Sequence, residues 1–192
     1  MGMRMAFILF DGMTTLDFAG FYEAVTWMGI LGIRENVSWD FCAAGEQVTD
    51  DRGLTIRVGR VRPDLSEYDL VFIPGGMATR QLRHDEDFLS WIRTARDAQY
   101  KASVCTGALI LGAAGFLQGR RATTNPSAYE LLEPYCSEVV RERFVRDGDV
   151  FTGGGVSASI DLGLFFVESI ASAEAARRIQ AKMDYPYYSS TR

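Results

Sequence analysis

A chain of 192 residues is long enough to bury one sizeable core, and a single domain spanning 1–192 is the expected organisation. Nearly half of the residues are hydrophobic, and no apolar run approaches the length of a bilayer span, which predicts an ordinary soluble globular protein with no membrane role. Lys plus Arg is 20 against 25 for Asp plus Glu, a net charge of −5 with no basic stripe, so nucleic acid is not an expected partner.

The opening run Met1 to Phe10 is too short in its apolar part for a signal peptide and predicts a first strand, from Met5 to Phe10, closed by Asp11-Gly12. Thr14 or Thr15 then caps a helix that runs through Trp27 and Met28, with Asp17 in its first turn, where the helix dipole favours a carboxylate. Most aspartates at such positions only cap or decorate their helix. Val37 to Ala43 predicts a second strand, and Gly45 to Val58 a hairpin excursion around Asp50-Asp51-Arg52-Gly53.

Asp69 to Ile73 is a continuous apolar strand that ends in Pro74-Gly75-Gly76. Two glycines there let the backbone approach another group closely and turn its N–H groups outward, although Pro-Gly is also a common plain turn. Asp85 to Ala98 predicts a helix with an acidic first turn; His84, the only histidine, precedes it among charged residues and is expected to be solvated.

Lys101 to Val104 predicts a strand end and Thr106 to Ala114 an amphipathic helix, which leaves Cys105 at the turn between them. That is the geometry of a nucleophile elbow, and the helix N-terminus behind the sulfur is expected to favour a thiolate. Buried structural cysteines are the commoner case, but a strand core has no need of the Thr-Gly pair that follows. The three cysteines, Cys42, Cys105 and Cys136, are widely spaced with no CxxC pair, which argues against a disulfide framework or a metal site and for a reducing cytoplasm.

Arg121 to Asn125 predicts a short strand closed by Pro126, followed by a helix from about Ser127 to Leu132. Val139 to Val145 and Val150 to Thr152 flank the hairpin signal Asp147-Gly148. Gly153-Gly154-Gly155 opens onto a helix from Ser157 to Ile170, with no phosphate-loop signature. A last helix covers Glu174 to about Asp184, before a tail over 185–190. Strands alternating with helices predict an α/β fold, a flavodoxin-like three-layer α/β/α sandwich with a mostly parallel sheet, whose strand ends bring Asp17, Gly75, Gly76, Cys105, Asn125 and Gly153 to Gly155 to one edge.

The motifs Leu16-Asp17-Phe18-Ala19-Gly20, Ile73-Pro74-Gly75-Gly76, Ser103-Val104-Cys105-Thr106-Gly107, Arg121-Ala-Thr-Thr124 and Thr152 to Asp161 resemble, in this order, the ThiJ/PfpI superfamily with its class I glutamine amidotransferase-like fold. Within it, Cys-Thr-Gly and the aspartate of Leu-Asp look most like the isocyanide (isonitrile) hydratases. The resemblance implies a cofactor-independent homodimer acting on a small uncharged organic substrate. Cys105 would be the nucleophile, Asp17 the general acid and base, and Thr106 an orienting residue. Gly75, Gly76 and Thr106 would supply main-chain donors, and Asn125, Gly154 and Gly155 would line the pocket. Three positions depart from the wider family: Thr106 where protease-like members carry His, Asn125 where many relatives carry His, and Phe21 in place of a proline. No Cys-His triad assembles locally. The alternatives are a glyoxalase- or deglycase-type enzyme on reactive carbonyls, and a cysteine-based ligand or redox sensor. With no helix-turn-helix after the last helix, a sensor is expected to act without touching DNA.

Overall fold

The computed structural model describes residues 2–189. It opens with β1 (Met3–Ile8), whose last four residues are buried, and turns through Asp11-Gly12 into α1 (Thr15–Ile30). Next come β2 (Val37–Ala43), the antiparallel hairpin β3 (Gln47–Thr49) and β4 (Thr55–Arg57), and the two-residue β5 (Arg60–Val61). The fully buried β6 (Leu70–Ile73) leads to α2 (Thr79–Leu82) and α3 (Glu86–Arg93). A strand-turn-helix unit is built from β7 (Tyr100–Val104) and α4 (Gly107–Ala113). After β8 (Arg121–Ala122), α5 (Tyr129–Leu132) and β9 (Glu138–Val139), the hairpin β10 (Phe144–Asp147) and β11 (Val150–Gly153) delivers the chain to α6 (Ala158–Ile170) and α7 (Ala173–Lys182).

The main sheet has the order β10-β11-β7-β6-β1-β2-β5, and every neighbouring pair is parallel except β10 with β11. Helix α1 packs against α6 and α7, while α4 groups with α2 and α5, which gives the expected sandwich of helices flanking a mostly parallel sheet. Because β1 lies between β6 and β2, successive connections leave it in opposite directions. A crevice opens at such a switch point beyond the carboxyl ends of the strands. Gly75 follows β6 and Cys105 follows β7, so the pairing of those two strands puts both at that crevice.

The core explains the departure at position 21: Phe21 is fully buried and stacks on Phe72 of β6, ring centroids 4.3 Å apart. An aromatic pair of this kind adds about 0.5–1.5 kcal/mol to the burial itself. Helix α4 differs from expectation, since Gly107 to Gly112 are all buried and the helix is not amphipathic. It is covered by the sheet on one side and by the 129–135 segment on the other; a Cβ on Gly112 would stand 2.5 Å from that of Tyr135. Gly107 is needed for close approach, because a Cβ there would lie 2.3 Å from the Ile73 carbonyl oxygen.

Two strand expectations are shortened. The segment 121–125 forms only the two residues of β8, because Thr123 N–H donates to Thr152 Oγ1 (2.9 Å) and Thr124 Oγ1 donates to the Cys105 carbonyl (2.8 Å). Side chains there replace a backbone ladder. The run 139–145 is split: Val139 pairs with β8, Val140 N–H donates to the Ala122 carbonyl, and the sheet resumes only at Phe144. The expected helix 85–98 ends at Arg93 and tightens into a 3₁₀ turn through Asp97. The tail is packed through Tyr185, which donates to Asp161, and Tyr188, which donates to Glu168; Ser190 lies outside the described residues. Among the described residues no helix is long and apolar enough to cross a membrane.

Candidate active site

Cys105 takes a left-handed backbone conformation (φ 54°), which a non-glycine residue adopts only at a cost of about 1 kcal/mol or more, and it leaves the sheet there. Two hydrogen bonds fix the strained residue: its N–H donates to the Gly153 carbonyl of β11 (2.8 Å), and its carbonyl accepts from Thr124 Oγ1. Thr124 was not among the expected site residues. Its two-residue offset from the end of β8 gave no signal for a contact back to the elbow.

Asp17 reaches the same point from the first turn of α1. The side chain is fully buried, and Oδ2 accepts a hydrogen bond from Gly75 N–H (3.1 Å). The Cys105 thiol is its electrostatic neighbour, and Oδ1 is buried without a hydrogen-bond donor. Gly75 lies between the two groups: a Cβ there would be 2.7 Å from Cys105 Cβ, 2.8 Å from Asp17 Oδ2 and 2.6 Å from Thr106 N. Gly155 closes the other side of the cysteine, since a Cβ on it would stand 2.5 Å from Cys105 Cβ. Gly75 makes the close approach expected of the Pro74-Gly75-Gly76 turn, and Gly155 makes a second one.

Electrostatics depart from the sequence expectation. Burial pushes the Asp17 carboxyl up to about 7, against the smaller opposing effects of Cys105 and the Gly75 N–H. The Cys105 thiol is pushed up to about 12, first by burial and then by the Asp17 charge. The expected thiolate is thus not favoured in the resting protein. The Thr106 N–H does favour ionisation of the sulfur, but a partial charge at a helix N-terminus is smaller than the cost of desolvating a thiolate beside a carboxylate. Near neutral pH the pair therefore holds a thiol and a carboxyl poised between its two states.

The main-chain donors are arranged differently from expectation. Gly75 N–H is committed to Asp17, and Gly76 N–H donates to Thr106 Oγ1 (3.1 Å), which in turn donates to the Gly76 carbonyl (3.0 Å). A buried threonine hydroxyl has to satisfy itself inside the turn, and Gly76 supplies both partners. Thr106 N–H is left to face the sulfur.

Gly154 and Gly155 line a cleft of about 250 Å³ together with Tyr129, Arg141, Arg143 and Ala158. Pro126 and Glu142 complete the lining, so the cleft joins apolar surface to charges of both signs. The Asn125 side-chain oxygen caps the following turn, accepting from Ser127 N–H (3.0 Å) and Ser127 Oγ (2.8 Å). His84 is exposed between α2 and α3. Cys42 is buried against Tyr68 on β2's side of the sheet, and Cys136 is half-buried beyond α5.

An α/β sandwich that presents a cysteine on a strand-to-helix elbow, with a buried carboxyl brought to it from the first helix, defines the structural class. The chain belongs to the DJ-1/PfpI family, whose model matches residues 3–169. It is 35% identical over 186 residues to the isonitrile hydratase of Pseudomonas putida, covering 96% of this chain and 79% of that protein. A deglycase of Pyrococcus horikoshii is 31% identical over 107 residues, 53% of this chain and 63% of its own length. Among solved structures, a ThiJ/PfpI family protein of Pseudomonas syringae superposes with a TM-score of 0.87 at 29% identity, covering 100% of this chain and 78% of the other.

Proposed function

We propose that this protein hydrates a small isocyanide to an N-substituted formamide, with Cys105 as nucleophile and Asp17 as the proton carrier. The observation that carries the reading is the Asp17 carboxyl, buried against the sulfur and pushed up to about 7, in a site without histidine. A group that is half protonated near neutral pH can both take and give a proton. The 35% identity to an isonitrile hydratase over most of the chain supports the same chemistry.

Asp17 in its carboxylate form takes the thiol proton as Cys105 Sγ forms a bond to the terminal carbon of R–N≡C. The same proton is then delivered to that carbon, giving the thioimidate R–N=CH–S–Cys105. Water adds to the thioimidate carbon while Asp17 accepts its proton and passes one to nitrogen. Breaking the C–S bond releases R–NH–CHO and returns the sulfur as a thiol. Thr106 N–H faces the sulfur as charge develops there, a contribution usually worth a few kcal/mol. We assign the Gly154–Gly155 cleft to the substituent R. The chain is further proposed to act as a homodimer; the exposed apolar side chains of Leu16, Leu54 and Met77, on segments that border the site, support such a partner face.

A deglycase-type reaction would use the same two groups, and the charged wall formed by Arg141 and Arg143 suits a polar carbonyl substrate. A redox sensor has less support, because Cys105 is only 8% exposed and its thiol is held protonated. The test is formamide production from cyclohexyl isocyanide by the purified protein. Turnover is expected in the wild type and a loss of at least about 10³-fold in Cys105→Ala and in Asp17→Ala, as for removal of a nucleophile or its base. Turnover of methylglyoxal with none of the isocyanide would select the carbonyl reading.

A further inference from the structure

The segment that carries Asp17 is held from outside the helix. Thr14 is the N-cap residue of α1, yet its side chain makes no capping bond to the helix. Its hydroxyl instead donates to Asp51 Oδ2 (3.1 Å), and the next hydroxyl, Thr15 Oγ1, donates to Asp50 Oδ2 (2.5 Å). Main-chain bonds run alongside: Gly12 N–H to the Thr49 carbonyl (2.8 Å) and Asp51 N–H to the Met13 carbonyl (3.0 Å). Thr49 N–H donates to Asp11 Oδ1 (2.8 Å). On its inner side the same segment meets the site, with Thr14 N–H donating to the Gly75 carbonyl (2.9 Å) and Met13 bridging to Gly76. The β3–β4 turn, the α1 start and the Gly75-Gly76 turn therefore form one hydrogen-bonded stack with the Asp17 carboxyl at its inner end.

We propose that Asp51 is a positioning residue for Asp17: through Thr14 it clamps the start of α1 onto the Gly75 turn, whose N–H holds the Asp17 carboxyl. The proposal deepens the proposed function, since it rests on Asp17 being the group that moves the proton. Asp50 is the structural half of the turn. It accepts from Arg52 N–H (2.9 Å) and Leu54 N–H (2.7 Å) as well as from Thr15, and the Thr15 hydroxyl foremost holds it below the usual carboxylate range. Two carboxylates at the N-terminus of a sixteen-residue helix are also favoured by its dipole.

The groups facing Asp17 from the surrounding elements are few. The elbow contributes Cys105 and Thr106, the β6 end contributes the Gly75 N–H, and the hairpin contributes Asp51, whose charge raises the Asp17 pKa. Arg52 pairs with Asp51 only at 3.9 Å and from a largely exposed side chain, so its compensation is screened. On α6, Ser159 Oγ donates to the Leu16 carbonyl, and Asp161 is consumed by Arg143 and Tyr185.

Two variants separate charge from clamp. Asp51→Asn keeps an oxygen for Thr14 and removes the charge; Asp51→Ala removes both. Two readouts are followed against pH: formamide formation from cyclohexyl isocyanide, and alkylation of Cys105 by iodoacetamide scored by intact mass, which requires no substrate. In Asp51→Asn the acidic inflection of both profiles is expected to move to lower pH, equivalent to a change of about twofold to fivefold in proton concentration, with an unchanged KM. In Asp51→Ala kcat is expected to fall about tenfold in addition, from the loosened clamp. An Asp51→Asn alkylation profile that overlays the wild type would overturn the charge role. An Asp51→Ala protein with wild-type kcat would overturn the clamp. If no isocyanide is turned over but the alkylation profile still shifts, the hydratase reading fails and the coupling of Asp51 to Asp17 stands.

Discussion

At pH 8 the Asp17→Asn protein is expected to be more stable than the wild type while having lost its turnover. Asp17 has an ordinary value of 3.8 and is pushed up to about 7 by burial. Between those values the folded state binds more protons than the unfolded chain, so stability is fully present below about pH 4 and is lost as the pH rises through about 7. The full difference is about 4 kcal/mol at most, at about 1.4 kcal/mol per pH unit. Asparagine is neutral throughout, and its oxygen can still accept from Gly75 N–H, so the variant does not carry that cost. Thermal melts at pH 5 and pH 8 should show the wild type losing stability across the interval and Asp17→Asn losing less. A wild-type slope in the variant would mean that Asp17 is not the titrating group. Cys105, pushed from 9 to about 12, adds a second loss of stability over that alkaline interval, which Cys105→Ala should remove.

Gly75→Ala is expected to cost activity and stability together. The added methyl meets a main-chain nitrogen at 2.6 Å, the Cys105 Cβ at 2.7 Å and the Asp17 Oδ2 at 2.8 Å; the first two are fixed to the backbone and cannot swing aside, and the third is the group whose position the chemistry needs. Relief requires the strand ends to move apart. Overpacking of this kind costs about 1–3 kcal/mol in stability. A displacement of about 1 Å between reacting groups costs on the order of 10²-fold in rate. Urea unfolding alongside turnover should show both effects. A fully active, fully stable Gly75→Ala protein would show that the three groups are not packed as described.

Much of this arrangement was legible before the fold was known, because the chemistry sits on breaks in pattern. The apolar run to Ile73 stops at two glycines, and the run to Val104 stops at Cys-Thr-Gly; strand ends in a parallel sheet share one edge, so those breaks had to meet. The hairpin around Asp50-Asp51 was equally visible, but its docking onto the start of α1 was not. Hydroxyl-to-carboxylate contacts such as Thr14 to Asp51 span 37 residues and leave no periodic trace. The ionisation of Cys105 is likewise set by groups distant in sequence. Local order places a helix N-terminus behind the sulfur, whereas the burial that outweighs it, with Gly75 and Gly155 packed on Cys105, and the charge of Asp17 are supplied by the tertiary fold. At position 125 the sequence shows an asparagine near a strand end, and the structure adds that its side-chain oxygen satisfies the backbone of its own turn, as asparagine before a helical turn often does.

The most direct measurement of the central claim is intact mass after rapid acid quench of the protein mixed with excess cyclohexyl isocyanide. The account predicts a transient adduct equal to the mass of the isocyanide, located on Cys105 by peptide mapping, which decays as the formamide accumulates and is absent in Cys105→Ala. Formamide produced by Cys105→Ala at the wild-type rate, or a wild type with reduced Cys105 that gives neither adduct nor formamide, would contradict it.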